Sequence, residues 1–421
     1  MTSQIAITLI VLVVAMILFL WNKIPVAAIA VAVPLVLFLF KILDAGDVFS
    51  GFVNTNVIMF MAMFVVGGAL FETGMAHKIG GIVTKFAKTE RQMMAAVMAV
   101  SGIMSAFLSN TGTAAVLMPI VIGIAASSGY KRSKLFMPLI YGATIGAMVT
   151  LLGSPGNLTA SATLEEATGT GFSFFTLTAV GLPMLVLGVL YVYYIGYRFI
   201  PDRESPEEVD IKQEDFSHVP AWKQWGSLIV LVVVVLAMIF EKQIGVKMYI
   251  MAVVGALVLV FMGILSDKKA FSYISWNTIF LVAGMLPMAT ALQKTGAGEL
   301  IAKGVIRIVG AKASPVFLTA VLWLLTCILT QFMSNSATVV MMCPIGIEIA
   351  KQLGANPTAV VIAILAGGSL AFCTPIAQPQ NTMVYGPGGY KFSDYFKAGW
   401  GISLLCFVIC VVILPLVYPF Y

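Results

Sequence analysis

Apolar residues fill this chain in long unbroken runs, and charged residues are confined to short stretches between them. The runs predict helices over roughly 5–22, 25–42, 55–73, 134–150, 173–199, 225–241, 245–265, 277–296 and 395–420. Most are close to the ~20 residues that cross a bilayer as a helix. They lack the short alternating segments of a membrane β-barrel, and an open sheet cannot satisfy its backbone in lipid. The expected fold is an all-α polytopic membrane protein with about 10–11 spans.

Two further runs are polar in the middle. "FLSNTGTAAVLMPI" sets Ser109, Asn110 and Thr111 between apolar halves 92–108 and 112–129. "FMSNSATVVMMCPI" does the same with Ser334, Asn335 and Ser336 inside 313–350. The first pair is flanked by "MAHKIGGIVTKFAKTER" (75–91), with Lys78, Lys85, Lys88 and Arg91, and by "YKRSK" (130–134). Positive charge on both flanks predicts a chain that enters the membrane and returns on one side, a re-entrant hairpin with the polar triplet at its tip. The 75–91 stretch itself reads as an amphipathic cytoplasmic surface helix. Two more helices, 134–164 and 358–390, are expected to be broken. "TLLGSPGNLTA" (150–160) and "TPIAQPQNTMV" (374–384) carry Gly153, Pro155, Gly156 and Pro379, poor continuers of a helix.

These features recur in order. "TNVIMFMAMFVVGGALFETG" (55–74) aligns on "NTIFLVAGMLPMATALQKTG" (277–296), "SNTGTAAVLMPI" on "SNSATVVMMCPI", and the first break on the second, each 222–225 positions later. Three matches at nearly one spacing indicate an internal duplication. Counting crossings from a cytoplasmic 75–91 segment makes the second copy inverted, although Lys303, Arg307 and Lys312 then lie outside. The expected organisation is scaffold spans in 1–54 and 225–276, a first inverted repeat over 55–200, a cytoplasmic linker over 201–224, and a second repeat over 277–421.

Composition sharpens the picture. The chain has 421 residues, 60% hydrophobic and 10% charged, where a soluble domain carries roughly 25% charged residues. Its net charge of +6 resides in loops, where it sets orientation in the plasma membrane, and gives no reason to expect nucleic acid. The five cysteines lie in apolar segments without CxxC spacing and read as packed thiols. The first run, with no basic leader, reads as a retained span and not a signal peptide.

Inverted repeats with broken helices suit secondary transporters, whose sites lie near the midplane. Helix N-termini present N–H groups and partial positive charge to carboxylates, and exposed carbonyls and hydroxyls present oxygen to Na⁺. No Lys, Arg, Asp or Glu occurs over 92–130, 135–164 or 313–347, which argues against a proton relay through membrane carboxylates. An isolated Ser-Asn-Thr is more simply a helix-packing feature. Two of them, repeat-related and each followed by a Pro/Asn break, carry a functional reading instead.

The paired tips, the breaks with Asn157 and Asn381, "TPIAQPQNTMVYGPGGYKFSDYFKAG" (374–399) and "LWNKIPVAAIAVAVPLVLF" (20–38) resemble the divalent anion/sodium symporter family. The resemblance implies homodimers that carry small divalent anions by an elevator movement, with Na⁺ at two sites. It places one Na⁺ among Ser109, Asn110, Gly153 and Asn157 and the other among Ser334, Asn335, Ala377 and Asn381. It gives the substrate carboxylates to Asn110, Thr111, Asn335 and Ser336, beside Thr374 and Pro375. The chain departs from the family in its Ser-Asn-Ser second tip and in "GSPGN" and "AQPQN", where a Thr-Pro-Pro-Asn type is common. The leading expectation is Na⁺-coupled symport of a C4-dicarboxylate or citrate. The alternatives are Na⁺-independent exchange of dicarboxylates and carriage of sulfate or another anion. An enzyme is not expected, because His77 and His218 lie in polar flanks and the core has no acid.

Overall fold

The computed structural model describes residues 3–21, 23–80, 87–204, 216, 218–309 and 314–421. Among them every regular element is a helix. The first half runs α1 (Ser3–Trp21), α2 (Val26–Leu39), the single turn α3 (Ala45–Val48), α4 (Thr55–Glu72), α5 (Met75–Gly80), α6 (Glu90–Ser105), α7 (Asn110–Ser128), α8 (Arg132–Gly146), α9 (Pro155–Thr168) and α10 (Thr178–Tyr194). The second half runs α11 (Ala221–Ile239), α12 (Glu241–Ile244), α13 (Met248–Phe261), α14 (Asp267–Tyr273), α15 (Trp276–Thr295), α16 (Ala297–Val309), α17 (Pro315–Thr330), α18 (Asn335–Leu353), α19 (Pro357–Ser369), α20 (Pro379–Tyr385) and α21 (Phe392–Val417). By length and apolarity α4, α7, α11 and α21 can each cross a bilayer, and α14 with α15 forms a further pair bent by 57°. Six shorter apolar helices accompany them.

The two helices that precede the breaks form the centre. α8 and α19 are apolar on every side and buried on every side, as Phe136 and Ile140 in one and Val360 and Ile364 in the other show. The hairpin α6–α7 packs on α8, and α17–α18 packs on α19. α10 covers the first group and α21 the second. On the outside α1 and α2 lie against α15, while α11 and α13 lie against α4. Exposed apolar side chains such as Ile10, Val233, Val254 and Phe261 sit on these outer helices, a surface suited to lipid.

The duplication read from the sequence reappears in individual bonds. Ser105 Oγ donates to Ala143 O at 2.6 Å, and Thr330 Oγ1 donates to Gly368 O at 2.7 Å. Thr150 holds Ala106 O, and Thr374 Oγ1 holds Gln331 O at 3.1 Å. Each bond recurs 224–225 positions later. Gly142 and Gly367 show why glycine stands at these helix contacts. A Cβ there would come within 2.1 Å of Met98 O and 2.3 Å of Trp323 O respectively.

Of the differences from the expected element boundaries, three have a visible cause. α9 continues to Thr168, beyond 164, because Glu165 and Glu166 bond to neighbouring helices instead of ending it. α10 starts at Thr178, not 173, since Ser173 and Thr176 close a polar turn between their side chains. The helix expected from 277 is preceded by the bent α14. Lys85, Lys312 and linker residues 205–215 and 217 lie outside the described residues.

Candidate functional site

Both hairpin tips end a helix and start another within four residues. Ser109, extended at φ −63° and ψ 144°, caps α7 by accepting the Gly112 N–H at 3.1 Å. Ser334, at φ −64° and ψ 146°, caps α18 by accepting the Ala337 N–H at 3.3 Å. Serine suits this position because its short side chain reaches back to the first free N–H groups. The next residues, Asn110–Thr111 and Asn335–Ser336, therefore occupy the first helical turn, where the backbone dipole is positive.

A cavity of about 560 Å³ opens where the tips meet the breaks, α4 and the α14–α15 bend. Ser109, Asn110, Thr111, Ser334, Asn335, Ser336 and Ala377 all line it. Two 19-residue helices, α7 and α18, and the 14-residue α9 begin at its wall. Opposite them stand Phe60, Met63 and Phe71 of α4 and the polar group Tyr273, Ser275, Asn277 and Thr278. None of the described lining residues carries a formal charge. Glu72, next to the lining residue Phe71, accepts from Tyr273 Oη at 2.8 Å and pairs with Lys269 at 3.2 Å. Partial charges of helix ends and neutral dipoles thus make up the electrostatics of the site, with polar groups fixed before any ligand arrives.

The tip asparagines are held unequally. Asn335 Nδ2 donates to Ser369 O at 2.9 Å, and its Oδ1 accepts from Thr330 Oγ1 at 2.8 Å. Asn110 Oδ1 accepts from the adjacent Thr111 N–H at 2.9 Å. Asn110 lines the cavity without bonds like those that fix Asn335 to Ser369 and Thr330.

Gly153, Asn157, Thr374, Pro375 and Asn381 do not line the cavity. They build the breaks behind it. Asn157 is fully buried and donates to Ala147 O at 2.7 Å and Thr150 O at 2.8 Å, while Ser154 Oγ donates to its Oδ1 at 3.0 Å. Asn381 repeats this with Ala371 O and Thr374 O, both at 3.0 Å. Each asparagine amide satisfies carbonyls that a broken helix leaves without partners. A Cβ on Gly153 would lie 2.4 Å from Ala147 O, so glycine lets the chain fold back on itself there. Pro375 O accepts from Thr382 Oγ1 at 2.8 Å.

Sequence reading missed four buried polar residues. Thr111 Oγ1 donates to Gln380 Oε1 at 3.4 Å, Gln380 Nε2 donates to Thr144 Oγ1 at 3.2 Å, and Thr144 Oγ1 donates to Gln378 Oε1 at 3.4 Å. This chain ties the first hairpin tip to the second break. Ser154 lines the cavity as well. The visible signal was the pair of glutamines in "AQPQN", unusual residues in an apolar segment.

Comparison with known proteins places this arrangement. The citrate transporter family model, CitMHS, matches residues 16–305 and 235–421. The uncharacterized transporter YfbS of Escherichia coli is 24% identical in an alignment of 613 positions that covers 100% of both chains. The sodium-dependent dicarboxylate transporter SdcS of Staphylococcus saprophyticus is 21% identical over 94% of this chain and 83% of its own. Among solved structures, the YdaH transporter of Alcanivorax borkumensis shares the fold with a TM-score of 0.68 at 15% identity, covering 96% of this chain and 98% of that one. The family model spans most of the chain, so the chain belongs to the citrate transporter family and is a membrane transporter.

Proposed function

We propose that this protein is a Na⁺-coupled symporter of a small divalent anion, a C4-dicarboxylate or citrate, working by an elevator movement. The observation that carries the reading is the convergence of two Ser-Asn tips and the N-terminus of α9 on one uncharged cavity of about 560 Å³. The N-termini of α7 and α18 supply roughly half a positive charge each, too little to neutralise two carboxylates alone. A co-bound cation supplies the remainder, which is the physical case for coupling. Asn110, Thr111, Asn335 and Ser336 are the residues positioned to donate to the carboxylates. Thr374 and Pro375 stand behind them and shape the second break.

Na⁺ needs oxygen ligands, and Ser109, Asn110 and the carbonyls around Gly153 and Asn157 would supply one set. Ser334, Asn335, Ala377 and Asn381 form its repeat-related counterpart. SdcS, described as sodium-dependent and as a dicarboxylate transporter, supports both halves of this reading. In the elevator reading the repeats are inverted, α1, α2, α11 and α13 form the fixed scaffold of a homodimer, and the loop at 201–224 is cytoplasmic. The test is uptake of radiolabelled succinate and citrate into proteoliposomes under an inward Na⁺ gradient or with choline in its place. Uptake that requires the Na⁺ gradient supports symport. Uptake indifferent to Na⁺ but dependent on internal dicarboxylate makes the protein an exchanger.

A further inference from the structure

Away from the cavity, two cations are gathered on one ring at the rim of the molecule. After α10 the chain makes a single 3₁₀ turn, Gly196–Arg198, folded back on the helix. A Cβ at Gly196 would lie 2.7 Å from Tyr191 Cε1. The turn presents the Tyr197 ring to the start of α6. The Arg91 guanidinium lies 3.8 Å from the centre of that ring and the Arg198 guanidinium 5.5 Å from it. Arg198 Nε also donates to Tyr197 Oη at 3.0 Å. Both arginines are exposed, and among the described residues neither forms an ion pair with a carboxylate.

Other charges at this rim are satisfied within the protein. Arg203 makes a two-pronged pair with Asp394 at 3.1 and 3.0 Å, and Lys131 pairs with Asp202 at 2.7 Å. Arg91 stands in the first turn of α6, where the helix dipole disfavours a cation. Two like charges held on one ring, one of them against a dipole, make a positive spot that favours an anion.

The surroundings select the kind of anion. Phe199, next to Arg198, meets Trp400 of α21 edge to face with ring centres 6.2 Å apart, and both rings are exposed. Trp400 follows Asp394 by six residues, about 9 Å along the helix. Beyond the aromatic pair α10 and α21 pack side by side, and their exposed side chains are apolar, Leu187 and Leu190 on one and Leu404 and Val408 on the other. Aromatic rings between a charged rim and an apolar surface mark the level of lipid headgroups. A soluble anion would leave the aromatic pair and the apolar surface unused. An anion that carries its own apolar tail uses all three.

We propose that Arg91, Tyr197 and Arg198 bind the phosphate of an anionic phospholipid, whose glycerol region rests on Phe199 and Trp400 and whose acyl chains lie along α10 and α21. Guanidinium groups suit the task because their planar fork donates two parallel N–H bonds to a phosphate. The bound headgroup ties the base of the first hairpin to the end of α10, two elements that meet at this rim through Tyr197. Na⁺ coupling plays no part in this inference.

The test is native mass spectrometry of the purified full-length chain in a neutral detergent, titrated with dioleoyl phosphatidylglycerol, with dioleoyl phosphatidylcholine, or with phosphatidylglycerol in the presence of inorganic phosphate. The tightest phosphatidylglycerol should bind at least tenfold more strongly than phosphatidylcholine. Arg91→Gln with Arg198→Gln should weaken it about thirtyfold, from roughly 1 kcal/mol for each surface cation. Lys303→Gln with Arg307→Gln, which removes the same charge from exposed positions on α16, should leave it unchanged. Equal losses in the two double variants would reduce the effect to general charge attraction and overturn the site. Equal binding of the two lipids would overturn it as well. Displacement of phosphatidylglycerol by an equal concentration of inorganic phosphate would assign the guanidiniums to a soluble anion and overturn the lipid.

Discussion

Asn157 separates two roles that look alike in the sequence. As a brace it donates two N–H bonds, of 2.7 and 2.8 Å, to the Ala147 and Thr150 carbonyls. As an ion ligand it would act through Oδ1 instead. Asn157→Ala removes both donors and strands two buried carbonyls, each worth about 1–3 kcal/mol, so the break should lose about 3 kcal/mol after partial relaxation. Asn157→Asp keeps the shape but turns an oxygen toward two oxygens, and adds the cost of a buried acid. The brace reading therefore orders thermal stability as wild type above alanine above aspartate. The assay is the thermal midpoint of the purified protein in detergent at saturating Na⁺, followed by Na⁺-driven uptake for each variant. An aspartate variant more stable than alanine, with uptake retained at lower Na⁺ concentration, would refute the brace and make the side-chain oxygen the functional atom. Asn381, with the same pair of bonds, should follow the same order.

Other expectations test separate parts of the structure. Asn56→Ala and Thr290→Val each remove one bond of 2.6 Å that holds α9 through Glu165 or Glu166. Each should lower the thermal midpoint by the equivalent of about 1 kcal/mol without changing the Na⁺ dependence of uptake. Gly142→Ala and Gly367→Ala each force a methyl against a backbone oxygen and should cost about 3 kcal/mol, read as loss of monodisperse protein on gel filtration. Asp47 is held below the usual carboxylate range by its hydrogen bond from Lys294. A depressed carboxyl contributes stability above its ordinary pKa of about 3.9 and loses it as pH falls through the folded value. The thermal midpoint should therefore drop slightly on acidification below about pH 4, and Asp47→Asn should flatten that part of the profile.

Much of this was legible because lipid imposes a simple code. The Ser-Asn tips stand out in charge-free runs, and α7 and α18 begin at Asn110 and Asn335, immediately after the serines. Helices avoid the breaks for the plain reason that Gly153, Pro155 and Pro379 cannot continue them. What stayed hidden depends on tertiary contacts. An asparagine after a proline signals a polar need at Asn157, but the carbonyl partners of its amide, Ala147 and Thr150, follow only from how the break folds back. Glu165 and Glu166 looked like a helix end because their partners, Asn56 and Thr290, lie 109 and 124 positions away. Tyr273 could not be placed in the cavity until the bend between α14 and α15 was known.

The central claim is that the two tips together bind a dicarboxylate whose transport Na⁺ drives. The most direct measurement is succinate uptake into proteoliposomes under a Na⁺ gradient for wild type, Asn110→Ala and Asn335→Ala, each checked for folding by gel filtration. The account predicts Na⁺-dependent uptake in the wild type and its loss in both folded variants. Undiminished Na⁺-dependent uptake in both variants would contradict it and move the site away from the hairpin tips.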